Sequence, residues 1–120
     1  MSDASTARVN LERMLESGKD TALLRFALGN ECLKSNDASA AALHLARAVE
    51  LDPQYTAAWK TYARALAQCD QRASALQAYE RGIAVAQAKG DKQAEKEMRV
   101  FLRRLARELE GDASGGGERG

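Results

Sequence analysis

At 120 residues the chain has room for one domain built around one core. Its 18 basic and 17 acidic side chains leave a formal net charge of +1, so no overall field draws it to nucleic acid or to an anionic membrane. Apolar residues make up 45 % but aromatic ones only 5 %, with a single proline. Alanine, the best helix former, supplies much of the apolar share, and an all-α chain follows. The start, MSDASTARVNLERM, lacks an apolar run long enough for a signal peptide, and no later stretch could span a bilayer. The expected location is the cytoplasm. Cys32 and Cys69 are 37 residues apart, a spacing that fits neither zinc nor redox motifs, so reduced thiols packed inside helices are expected. No metal or cofactor is expected.

Residues 1–5 read as an unfolded N-terminus and 6–110 as the folded domain. A short helix over 7–16 is capped by Ser5 or Thr6 and stopped by Gly18. Asp20 is placed as the cap of a helix over 21–34, in which Leu24, Ala27, Leu28 and Cys32 recur at helical spacing. Gly29, unfavourable in an exposed helix, is expected to permit a close helix crossing. Ser35, Asn36 and Asp37 make a turn, and Asp37 caps a helix over 38–51 that buries Ala41, Leu45, Ala48 and Val49. Asp52-Pro53 reads as a helix start, cap followed by first position, for a helix over 54–68 with Trp59, Tyr62, Ala63 and Leu66 inward. Asp70 is the expected cap of the next helix, which carries Ala75, Tyr79, Gly82, Ile83 and Ala86 and ends at Gly90-Asp91. The last helix, 92–110, has an apolar stripe of Ala94, Met98, Phe101, Leu102, Leu105 and Leu109 opposite Lys92, Glu95, Arg99, Arg103 and Arg107. Gly111 is its expected stop, and 111–120 reads as a flexible Gly-rich tail.

The second and third helices return 34 residues later. Leu28, Gly29, Cys32, Ala41, Leu45, Ala48 and Pro53 stand at the spacings W-x2-L-G-x2-Y, A-x3-F and P; the second copy supplies Trp59, Tyr62, Ala63, Leu66, Ala75, Tyr79 and Gly82. Arg25 stands where the first copy should have Trp. One interval earlier, Ala7, Leu11, Met14 and Leu15 match Ala41, Leu45, Ala48 and Val49. The chain resembles a small bacterial tetratricopeptide-repeat protein. That resemblance implies antiparallel helix–turn–helix pairs stacked in a right-handed superhelix of about six helices. It divides into a half repeat (7–17), repeats over 21–53 and 54–89, and a capping helix (92–110).

The resemblance implies a non-enzymatic protein-interaction module in which the first helix of each pair lines a concave groove. It assigns Leu23, Phe26, Asn30 and Lys34, then Lys60, Arg64 and Gln68, to that groove, with Met98 and Phe101 at its far end. An apolar floor near Phe26 and a basic wall from Lys60 and Arg64 suit a peptide or helix of another protein that carries an acidic group beside an apolar side chain. The carboxylate clamp of some repeat proteins is excluded, since its positions hold Phe26, Asn30, Thr61, Asp91 and Glu95 and only Asn30 fits. Two alternatives are a repeat-type secretion chaperone for an apolar segment, which usually has a third complete repeat, and a self-associating structural protein. Monomer or weak homodimer is expected. His44, the only histidine, lacks the nucleophile or extra ligands that catalysis or a metal requires. Arg99, Arg103, Arg104 and Arg107 alternate with Glu95, Glu97, Glu108 and Glu110 and have no exposed aromatic for base stacking, which points away from nucleic acid.

Overall fold

The computed structural model describes residues 3–119, with side chains over 6–111. Of the unfolded stretch expected over 1–5 and the tail expected over 111–120, residues 1, 2 and 120 lie outside the described residues, and 3–5 and 112–119 are described by their helical backbone alone. Six helices and no strand occur among the described residues: α1 (Asp3–Glu16), α2 (Ala22–Lys34), α3 (Ala38–Leu51), α4 (Thr56–Gln68), α5 (Arg72–Lys89) and α6 (Lys92–Arg119). Helices α2 and α3 form one antiparallel pair, α4 and α5 the next, and each helix packs on its sequence neighbours. Among the described residues, the contacts beyond those neighbours join α2 to α4 and α4 to α6, so the first helix of each pair lies along one common side.

The turns inside the two pairs are copies of each other. Asn36 and Asp70 both take left-handed backbone, with φ of 61° and 65°. In each turn the next residue's N–H reaches back to a carbonyl in the last helical turn, Asp37 to Cys32 and Gln71 to Leu66, both at 2.8 Å. Asn and Asp tolerate that conformation because their short polar side chains bond locally. Gly18 and Gly90 perform the same reversal after α1 and α5.

Several helix starts differ from the expected ones. Thr21, not Asp20, caps α2 by accepting from the Leu24 N–H; the Asp20 carboxylate is drawn instead to Arg25 and Arg47. Asp37 caps α3 as expected, through the Ala40 N–H. Asp52-Pro53 does not begin α4. Asp52 ends α3, accepts from the Gln54 N–H through its side chain and from the Tyr55 N–H through its carbonyl, and Pro53 occupies the second position of that turn. Helix α4 then starts at Thr56 behind Tyr55, without a side-chain cap. Asp70 is committed to the left-handed turn, so α5 follows Gln71, also without a side-chain cap. Asp91 caps α6 through the Ala94 N–H. Helix α1 begins at Asp3, upstream of its expected start. Gly111 does not stop α6, because it lacks the left-handed backbone that ends a helix at Gly18 and Gly90.

The core runs through all the pairs. Leu28, Cys32, Ala41, Leu45, Ala48, Ala58, Ala63, Ala65, Ala75, Ala86 and Met98 are wholly buried. Alanine at so many of these positions brings the helix axes close. Closest of all is Gly29, where an added Cβ would stand 2.5 Å from Leu45 Cγ. Gly82 lies similarly against Met98 Sδ and Trp59 Cβ. Trp59 donates its indole N–H to the Pro53 carbonyl at 2.8 Å and carries the Arg81 guanidinium 5.1 Å above its ring. That contact fastens the turn between the pairs to the second repeat. Cys32 is buried and Cys69 half-buried, both as free thiols.

Candidate functional site

Helices α4 and α6 diverge on the common side and leave a cleft of about 750 Å³. Its α4 wall is Lys60, Thr61, Arg64, Ala67 and Gln68; Glu97 and Phe101 of α6 face them, with Tyr79 of α5 below. Tyr79 and Phe101 stack nearly parallel, their centroids 6.0 Å apart. Phe101 still leaves 41 % of its surface exposed, a large apolar ring presented to solvent inside a concavity. The Arg104 guanidinium sits 5.7 Å from the Phe101 centroid. Lys60 Nζ binds Glu97 Oε2 at 2.7 Å, and Gln93 donates to the other Glu97 oxygen at 3.2 Å. These hydrogen bonds, from Lys60 first, hold the Glu97 carboxyl below the usual carboxylate range. Burial pushes the Tyr79 hydroxyl up despite the nearby Arg64 and Arg104 charges. Arg64 is exposed and has no ion-pair partner among the described residues.

The structure brings only part of the expected groove together. Lys60, Arg64 and Gln68 line the cleft side by side, and Phe101 faces them. Met98 does not: it is wholly buried against Gly82, because the α6 stripe turns its centre to the core. On α2, Phe26 packs its ring 4.9 Å from that of Tyr55. Leu23 is 68 % exposed in the first turn of α2, Asn30 is half-buried, and Lys34 pairs with Glu31. None of these four lines the cleft. Glu97, Thr61, Ala67 and Tyr79 are additions. Tyr79 is legible as a core residue, but nothing in the sequence announces that its edge floors a cleft. Glu97 meets Lys60 only because α6 leaves the 34-residue register.

Comparison with known proteins agrees with the helical-repeat fold. The family described as bacterial transcriptional activator domain matches residues 2–110. A TPR repeat-containing protein of Pseudomonas aeruginosa is 55 % identical over 97 residues, covering 81 % of this chain and 92 % of that protein. The chain belongs to the tetratricopeptide-repeat proteins of this bacterial family. Among solved structures, a Bordetella parapertussis protein is 44 % identical, with a TM-score of 0.72 and 90 % of each chain covered. A tetratricopeptide repeat domain protein of Salinibacter ruber is 27 % identical, with a TM-score of 0.66, covering 71 % of this chain and 96 % of that one.

Within the tetratricopeptide frame, the first repeat is unusual at the Trp position. Arg25 fills it and makes two hydrogen bonds to Asp20, at 2.7 and 3.2 Å, and one to His44 Nδ1 at 3.1 Å. Arg47 completes the cluster at 3.4 Å from Asp20. A guanidinium has no acceptor, so Nδ1 must be the accepting lone pair and the imidazole is neutral, with its proton on Nε2. Burial, followed by the charges of Arg25 and Arg8, pushes the His44 pKa down; Glu12 and Asp20 oppose weakly. A depressed histidine makes the unfolded chain bind the extra proton first. Stability is therefore expected to be fully present above the ordinary value of 6.5 and to fall as pH drops through the folded-state value. Urea melts between neutral and mildly acid pH test this, and His44→Gln should flatten the slope. A slope unchanged by the substitution would assign it elsewhere. Among the described residues no group of three or more His, Cys, Asp or Glu is placed to hold a metal, and no helix is long and apolar enough to cross a membrane.

Proposed function

We propose that this chain is a non-catalytic cytoplasmic adaptor that holds a segment of a partner protein in the cleft between α4 and α6. The observation that carries the reading is Arg64, without an ion-pair partner among the described residues, lining one cavity of about 750 Å³ with the half-exposed Phe101. An aromatic or branched side chain of a partner gains by covering Phe101, and a carboxylate next to it gains by pairing with Arg64. The stacked helix pairs hold these groups in place beforehand, so binding orders little of the receptor. The tetratricopeptide fold supports an interaction module in general; the cleft chemistry supports this particular mode.

The test is capture of partners from the native host with wild type and with Arg64→Glu, checked by circular dichroism for an intact fold. Reversing a central arginine is expected to weaken a specific partner by about tenfold or more, the scale of an interface hot spot. An unchanged partner set would move the function away from the cleft.

A further inference from the structure

The Lys60–Glu97 ion pair crosses the concave face, joining α4 to α6. The same two residues border cavities on both sides. Beyond them, toward the N-terminal ends of α4 and α6, lies a smaller cavity of about 330 Å³ lined by Thr56, Ala57, Asp91, Gln93 and Ala94. The pair is thus a bar that divides the groove into two compartments. In the larger one Lys60 is already neutralised, and Arg64 is the lining cation without an ion-pair partner among the described residues. In the smaller one the charged lining groups other than Lys60 are the acids Asp91 and Glu97.

We propose that this bar sets the charge a partner segment can bring: one carboxylate, directed to Arg64 beside a large apolar side chain on Phe101, and no second acid where the segment passes Glu97. The inference rests on the cleft being the partner groove. Its physical basis is that, among the described residues lining the two cavities, a second carboxylate at the bar finds no cation besides the paired Lys60 and the occupied Arg64 and faces Glu97 and Asp91, an arrangement that rejects wrong partners by like-charge contact. Removing the Glu97 charge while keeping its shape frees Lys60 to accept that second acid.

The experiment uses the full chain and three immobilised pools of synthetic peptides with otherwise randomised positions. One pool fixes Phe-Gln, the second Phe-Glu, and the third Phe-Glu with another Glu placed two to four residues along. Wild type is expected to retain the one-acid pool about fivefold or more over both others, and Glu97→Gln to raise the two-acid pool about tenfold, to the level of the one-acid pool or above. Equal retention of the one- and two-acid pools by wild type overturns the charge rule and leaves the groove standing, as does an unchanged ranking in Glu97→Gln. Retention of no pool by wild type overturns the groove reading itself and the inference with it. Circular dichroism of Glu97→Gln separates lost binding from lost fold.

Discussion

Gly29→Ala is expected to destabilise the protein by about 1–3 kcal/mol, the usual cost of forcing an extra carbon into a packed core. The sign is the informative part. In a solvent-facing helix the same change stabilises by about 1 kcal/mol, because alanine restricts the unfolded chain and favours helix. Here the new Cβ would stand 2.5 to 2.9 Å from three carbons of Leu45, a side chain that is itself wholly buried and has nowhere to swing. The melting temperature should fall by about 4 °C per kcal/mol in a chain of this size. Leu45→Ala alone costs about 2–5 kcal/mol through the cavity it leaves. Combined with Gly29→Ala it should cost less than the sum, since the methyl enters that cavity. A stabilising Gly29→Ala would mean that α2 and α3 do not cross at this distance.

The second large effect is at Trp59. Trp59→Ala should cost about 3–5 kcal/mol, enough to consume much of the 5–15 kcal/mol typical of a small domain. The Trp59 side chain is buried, with its Cβ against Gly82, and its indole supports Arg81 and donates to the Pro53 carbonyl in the turn between the repeats. Trp59→Phe keeps most of the ring but deletes the hydrogen bond, and about 1–2 kcal/mol is expected. Urea unfolding followed by circular dichroism measures both, with a common m-value showing that the unfolded surface is unchanged. A Trp59→Ala variant as stable as wild type would contradict this packing role of the indole.

The helical periodicity made the architecture legible. Ala41, Leu45 and Ala48, with their counterparts Ala75, Tyr79 and Gly82, are all buried, and the equivalence of Asn36 and Asp70 follows from the same 34-residue step. Cap identities were less legible because an acidic residue just ahead of a helix has several uses. Asp20 serves two arginines, Asp52 closes a turn over Pro53, and Asp70 enters a left-handed bend. Each competes with capping, and only the surrounding chain decides. The cleft was half legible. Lys60, Arg64 and Gln68 follow from one face of one helix, where spacing suffices. Their partners belong to α6, whose rotation relative to α4 depends on how α5 ends. That rotation sends Met98 inward and brings Glu97 onto Lys60. The apolar stripe of α6 records the first of these, but no local pattern records the meeting of Glu97 with Lys60. The first-repeat groove residues lie outside this cleft, and Phe26 there packs on Tyr55 from the irregular turn before α4.

The central question is which face of the helix stack a partner touches. Titrating an isotopically labelled chain with a peptide selected from the one-acid pool, and following its backbone amide and aromatic resonances, answers it residue by residue. Shifts concentrated at Lys60, Arg64, Gln68 and Phe101, with exposed Leu43 and Val9 unmoved, are the expected result. Shifts confined to α3 and the outer side of α5, with the cleft silent, would contradict it.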